Sequence, residues 1–152
     1  MNFPDIRELV PHSGTMVLLD RVLAYDADML CAEVTIHAGS LFCEGGQVGA
    51  WVGIEYMAQA IAAHAGYSAS LRGAPVKLGF LLGSRRYTSV VDGFQVGAVL
   101  TVCVQRALAG DNGLGAFDCR IEDGNGEVLA SALVTVFQPP NVDDFLHGVP
   151  NE

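Results

Sequence analysis

Charge is scarce in this chain. Only 16% of its 152 residues are Asp, Glu, Lys or Arg, and just eight of those are basic against seventeen acidic. The resulting net charge of −9 argues against nucleic acid or an anionic membrane surface as a partner, although an acidic whole still accommodates a local basic patch. No CxxC spacing occurs among the four cysteines. Cys31, Cys103 and Cys119 fall in apolar, strand-like segments, where a thiol behaves as a small hydrophobe. Neither a disulfide nor a metal site is expected, and Cys43, in a Gly-rich loop, is the one candidate for a reactive thiol. A transmembrane helix is missing too: the run from Val48 to Ala63 is too short and carries Glu55. The start, Met1-Asn2-Phe3-Pro4-Asp5, lacks the basic and apolar regions of a signal peptide, so a cytoplasmic protein is expected.

Apolar residues are plentiful instead. They make up 51% of a chain whose length suits one domain with a single core. With so little charge to cover its surface, the protein is expected to be an oligomer.

Within the apolar run 48–63, Glu55 and Gln59 are the only clearly polar side chains. A segment apolar on every face reads as a helix buried all round. A carboxylate inside such a helix must find donors or a polar cavity, or else keep its proton, which is the condition that suits general acid/base chemistry. A purely structural carboxyl tied to backbone amides is the competing reading.

Along the chain, Asp5 to Val10 reads as a helical turn stopped before Pro11. Met16 to Leu23 and Leu30 to His37 read as strands around an Asp26-Ala27-Asp28 turn. In the second strand Cys31, Glu33, Thr35 and His37 face one side, and Ala32, Val34 and Ile36 the other. A loop from Ala38 to Gln47 leads into the long helix, which ends near Leu71, where Arg72, Gly73 and Pro75 supply stop signals. Four strands follow: Lys77 to Ser89, Gln95 to Leu108, Gly113 to Ile121 and Glu127 to Phe137. Glu122-Asp123-Gly124-Asn125-Gly126 turns the last two into a hairpin. The pattern predicts an α+β domain over residues 1–140, an antiparallel sheet wrapped around one long helix (the hot-dog fold), with an acidic tail at 141–152.

Three blocks carry a family resemblance. Leu9-Val10-Pro11-His12-Ser13-Gly14-Thr15-Met16-Val17-Leu18-Leu19-Asp20-Arg21-Val22 is similar to an LPHxxPxLLxDRV opening. Ile54-Glu55-Tyr56-Met57-Ala58-Gln59-Ala60 is similar to the helix motif EAMAQA. Gly79-Phe80-Leu81-Leu82-Gly83-Ser84-Arg85-Arg86-Tyr87 resembles the tunnel-lining strand that follows that helix. In this order they resemble the 3-hydroxyacyl-acyl-carrier-protein dehydratases of fatty acid synthesis (the FabZ kind), and most nearly the divergent ApeP-like branch encoded with aryl-polyene and polyketide-like clusters. One departure stands out. The family's GHFPG histidine, some fourteen residues before the glutamate, would fall near Leu41, and this chain has no histidine there.

The resemblance implies elimination of water from a 3-hydroxyacyl thioester carried on acyl carrier protein or coenzyme A, with Glu55 as the carboxylate. It implies no cofactor of the protein's own, and a site between subunits of a dimer or larger assembly. His12, which follows Pro11 in the first block, is the candidate second proton-transfer group. His37 is weaker, and His64 and His147 read as structural or irrelevant. Gly46, near the helix start, would offer a backbone amide to the thioester oxygen. Gln59, one turn after Glu55, would hold the carboxylate or the substrate, with a simple buried amide as the alternative. Trp51, Ile54, Met57, Ile61 and Phe80 are channel-or-core candidates. Gly83 lies on the tunnel-lining strand. Arg85 and Arg86 point to opposite sides of that strand if it is regular, leaving one for a phosphate or an acidic carrier. Arg72 and Lys77 either share that role or complement the helix dipole. Two other functions remain open: an acyl thioesterase working with a lone carboxylate, and a partner subunit of a second dehydratase.

Overall fold

The computed structural model describes residues 3–10, 14–73, 81–109 and 114–137. His12, Lys77, Phe80, His147 and the tail 141–152 lie outside those residues, as does the side chain of Arg85.

The chain opens with α1 (Ile6–Leu9), capped by Asp5, whose Oδ1 accepts the Arg7 N–H at 3.0 Å. A 3-10 turn at Gly14–Met16 precedes β1 (Arg21–Asp26) and β2 (Met29–Thr35). A small hairpin follows, β3 (Cys43–Glu44) and β4 (Gln47–Gly49), and a 3-10 turn at Ala50–Val52 then runs into α2 (Gly53–Leu71). The rest is β5 (Leu81–Ser89), β6 (Gly93–Gln95), β7 (Val99–Ala109), β8 (Leu114–Glu122) and β9 (Val128–Phe137).

Six strands form one antiparallel sheet in the order β1-β2-β7-β8-β9-β5, and β3-β4-β6 form a second, small one. The large sheet lays α2 across its strands β2, β7, β8 and β9. Alternation along β2 buries Leu30, Ala32 and Val34 on the helix side, as the sequence pattern predicts. β7 does the same with Leu100, Val102 and Val104. Against them α2 presents Met57, Ala60, Ile61 and Ala63. On another side of α2, Gly66 lets α1 approach closely: a Cβ there would collide with the Leu9 carbonyl.

Several expectations need correction. The strand expected over Met16 to Leu23 begins only at Arg21, because a helix side chain takes the backbone groups of Met16 and Leu18. The loop 38–47 contains the β3–β4 hairpin, whose turn residues Gly45 and Gly46 have φ of +63° and +82°. α2 begins at Gly53, five residues later than the start of the apolar run, since Val48 pairs with Phe94 in the small sheet. The strand expected over Gln95 to Leu108 divides into β6 and β7 around a turn that includes Gly97, at φ +95°. A bulge between Ser84 and Arg86 interrupts β5, so a strict two-sided alternation of Arg85 and Arg86 does not hold. Finally, a disulfide joins Cys31 to Cys103. Those residues lie opposite each other on β2 and β7, a pairing that their separation of 72 residues conceals in the sequence. Cys43 and Cys119 are free.

Candidate active site

Glu55 is the third residue of α2, within its first turn, and is half-buried rather than sealed in the helix's apolar middle. Gln59, one turn on, is fully buried and makes three hydrogen bonds. Its Nε2 donates to the Met16 carbonyl at 2.6 Å and to Glu55 Oε1 at 3.2 Å, and its Oε1 accepts the Leu18 N–H at 2.9 Å. Both amide hydrogens are therefore occupied. The carboxylate is positioned against the extended segment that continues from the sequence block holding His12.

Gly46, expected near the helix start, lies before it. Gly46 sits in the β3–β4 turn, and its carbonyl accepts the Val96 N–H at 3.0 Å. The helical run begins at Ala50, whose N–H is bound to the Asp92 carbonyl. Trp51, a candidate channel residue, is 64% exposed and packs edge-on against Phe42. Met57 and Ile61 are core, and Ile54 is partly buried beside it.

Tyr87 closes the start of α2 from β5. Its hydroxyl donates to the Ala50 carbonyl and lies directly over Gly53, where a Cβ would strike it. Burial pushes its pKa to about 12. Gly83 is exposed at the other end of β5, its carbonyl accepting from Thr135 Oγ1 at 3.2 Å. Arg86 is exposed and borders a cavity of about 570 Å³ with Thr88 and Asp118 on the sheet's outer face. Arg72 caps the helix end through its backbone N–H.

His64 is buried, with Nε2 facing the carbonyls of Asp26 at 3.2 Å and Ala27 at 3.0 Å. Its pKa is lowered, first by desolvation and then by Arg106, against the raising effect of those carbonyls and of Asp26. It pins the β1–β2 turn to the helix. His37 stands just beyond β2, exposed, and lines a cleft of about 520 Å³.

Tyr56 lines the same cleft, though it is not among the candidate residues of the sequence. It is only 2% exposed, and among the described residues its hydroxyl has no hydrogen-bond partner. Its pKa is raised to about 12, first by burial and then by Tyr87, Asp20 and Cys43. A signal was present: the resembled helix motif has Ala directly after its Glu, and this chain has Tyr. Among the described residues no cluster of three or more His, Cys, Asp or Glu could hold a metal, and no helix is long and apolar enough to cross a membrane.

Comparison with known proteins gives the geometry a context. The family model for ApeP dehydratase, of the ApeP-like type, matches residues 4–147. The dehydratase heterocomplex ApeI:P from Xenorhabdus doucetiae superposes with a TM-score of 0.86 at 24% identity, covering 99% of this chain and 100% of the other. A hypothetical thioesterase with coenzyme A from Streptococcus pneumoniae gives 0.61 at 12% identity over 78% of this chain and 84% of that one. The E. coli PaaI protein gives 0.54 at 17% identity over 78% and 82%. These likenesses establish the hot-dog fold. No curated protein sequence matches the chain.

Proposed function

The chain belongs to the ApeP-like dehydratase family, and from that membership we propose that it is a hydro-lyase converting a 3-hydroxyacyl thioester into the 2-enoyl thioester and water. The observation that supports this most is the placement of Glu55: a half-buried carboxylate on the central helix, with one oxygen held by Gln59. The reaction takes a proton from the carbon next to the thioester carbonyl and gives one to the departing hydroxyl. Glu55 and His12 are the two groups proposed for those transfers. The thioester oxygen gains charge as the first proton leaves, and backbone amides at the start of the helical run are the proposed donors to it. The substrate is proposed to ride on acyl carrier protein or coenzyme A, with no cofactor of the enzyme's own, in fatty acid, aryl-polyene or polyketide synthesis.

A second reading has its own support. The ApeI:P assembly is a dehydratase heterocomplex, so pairing of this chain with a second dehydratase is a proposal alongside self-association. The lone-carboxylate thioesterase is the third reading, favoured by the thioesterase among the similar folds.

One assay separates the three. Purified protein is given a 2-enoyl thioester, and hydration is followed by loss of enoyl absorbance while free thiol is followed in parallel. Hydration by the protein alone, lost by about 10²-fold or more in Glu55→Gln and in His12→Ala, supports the dehydratase. Thiol release without hydration replaces it with the thioesterase. Activity only when a second dehydratase is added gives the partner role. Full turnover in His12→Ala removes that residue from the mechanism.

A further inference from the structure

We propose that the Cys31–Cys103 bond is a reversible modification site: a low-molecular-weight thiol opens it at the Cys31 sulfur, and Cys103 leaves as a thiolate beside Arg120. No group proposed for the thioester reaction takes part.

The bond lies on the outer face of the large sheet. Along β2 the side chains of Leu30, Ala32 and Val34 turn towards α2, so Cys31, Glu33 and Thr35 turn away from it. Cys103 stands between Val102 and Val104, both of them core, and shares that outer face with Cys31. The link therefore fastens no part of the core. β2 and β7 pair at successive positions from Met29–Gln105 to Thr35–Val99, and the backbone ladder on either side of the sulfurs holds the strands together without them. Two freed thiols would stay directly opposite each other. Closing the bond again is then an intramolecular step at high effective concentration.

The two sulfurs differ in access. Cys31 is part-exposed, whereas Cys103 is only 4% exposed. Which sulfur of a disulfide is attacked depends on which one a thiolate can reach, and that is Cys31. The residue opposite Cys103 on its other side is Arg120 of β8. Opposed residues of neighbouring strands share a face, with Cβ atoms about 4.5–5.5 Å apart, so the guanidinium is within reach of the sulfur that must leave as an anion. A nearby cation lowers a thiol's pKa and makes it a better leaving group. Two carboxylates stand close by, and each has a cation of its own: Glu122 is paired with Arg120, and Glu33, two residues along β2 from Cys31, with Arg21. The remaining cysteines lie elsewhere. Cys119 belongs to the core on the helix side of β8, and Cys43 to the small sheet.

Opening consumes two small thiols. The thiolate of the first attacks the Cys31 sulfur, forming a mixed disulfide and expelling the Cys103 thiolate, which takes up a proton. The second attacks the small-molecule sulfur of that mixed disulfide, releasing the small disulfide and the Cys31 thiolate. Two electrons pass to the protein pair, and the two small thiols are oxidised to one disulfide. Closure is the reverse, with the small disulfide as oxidant. A bond open to solvent at one sulfur belongs with the reducible disulfides rather than with the sealed structural ones.

The probe is glutathione. Wild-type protein is equilibrated over a range of reduced-to-oxidised glutathione ratios, quenched with acid, alkylated and digested for mass spectrometry. The Cys31 and Cys103 peptides should pass from joined to alkylated as the ratio rises, with the far-ultraviolet circular dichroism of the folded protein unchanged. A bond that glutathione opens only in denaturant, or whose opening abolishes the folded spectrum, overturns the proposal. Entry is read with oxidised glutathione on two variants. Cys103→Ser should gain an adduct at Cys31 about tenfold faster than Cys31→Ser gains one at Cys103. Equal rates, or a faster Cys103, overturn the assignment of the entry sulfur. Should either variant fail to fold, the same order is read in wild-type protein quenched during reduction, where the trapped adduct is expected on Cys31 and an adduct on Cys103 overturns the assignment. Arg120→Gln should slow opening about threefold, through loss of the cation beside the leaving thiolate. An unchanged rate overturns its part in the step.

Discussion

Gln59 and Glu55, one helical turn apart, share a hydrogen bond of 3.2 Å while the same amide grips the backbone of Met16 and Leu18. This single side chain fixes the carboxylate relative to the segment leading into β1. It also helps to explain why that segment forms no strand before Arg21, since the Met16 carbonyl and Leu18 N–H are already bonded from the helix. Gln59→Leu keeps the volume and removes all three bonds, leaving the part-buried Met16 carbonyl and Leu18 N–H without their side-chain partner. The expected loss is about 2–4 kcal/mol, a fall in melting temperature on the order of 10 °C. Hydration activity should fall further than the stability loss accounts for at a temperature where the variant is folded. An unchanged melting temperature would show that water replaces the amide.

The thiol inventory is equally checkable. With Cys31 and Cys103 joined, native protein should react rapidly with Ellman's reagent at one thiol, Cys43. Cys119 is buried on β8, with a pKa pushed to about 12 by burial and then by Asp118, so its thiolate is suppressed. Unfolding without reductant should expose a second thiol, and reduction all four. Four thiols in unfolded, unreduced protein would mean the pair is a dithiol in solution. Where the bond is present, reduction should lower stability by about 2–4 kcal/mol, because it frees a long loop in the unfolded chain.

The large-sheet strands along the chain and the central helix were legible because each rests on a local pattern: period two over Leu30 to Ile36, a long apolar run in the helix, and a Gly-Asn-Gly turn before β9. What was not legible depends on contacts between distant segments. Val48 looks helical until Phe94 is beside it in a small sheet. Trp51 looks like core, yet the 3-10 turn at the helix start leaves it outside with Phe42. Glu55 stands out as a polar residue in apolar surroundings, but its place in the first turn of α2 follows from where the preceding strand ends. Tyr56 escaped notice because a tyrosine in an apolar helix reads as core. Only its lack of a partner for the hydroxyl marks it, and that is a property of the folded neighbourhood.

Stability should fall on both sides of neutrality, for different groups. His64 has a lowered pKa, so below about 6.5 the unfolded chain binds a proton that the folded one does not, and stability is lost progressively as pH falls through that window. Tyr56 and Tyr87 are raised from 10.0 to about 12, and their contribution is whole below pH 10 and lost as pH rises toward 12. For the nearly fully buried Tyr56 the loss is about 2–3 kcal/mol. Thermal melts from pH 5 to 11 check both limbs. Absorbance at 295 nm should show Tyr56 and Tyr87 ionising only near pH 12 or on unfolding. His64→Gln should flatten the acid limb relative to wild type, even though the variant is less stable throughout.

Gly53 and Tyr87 form a lock that a double-mutant cycle can open. The Tyr87 hydroxyl occupies the space a Cβ at position 53 would need, while donating to the Ala50 carbonyl one turn earlier. Gly53→Ala therefore sets helix propensity, which favours alanine by up to about 1 kcal/mol, against a steric conflict costing about 1–3 kcal/mol. The conflict should win, lowering the melting temperature. Tyr87→Phe alone removes the clashing oxygen and one hydrogen bond, and should cost about 1 kcal/mol. Combined, the two changes should be less damaging than their sum by at least 1 kcal/mol, because the second removes the atom that the first collides with. Additive losses would mean that β5 moves away from α2 to make room. The hydration assay would register that shift as well, since this contact secures the start of the helix two residues before Glu55.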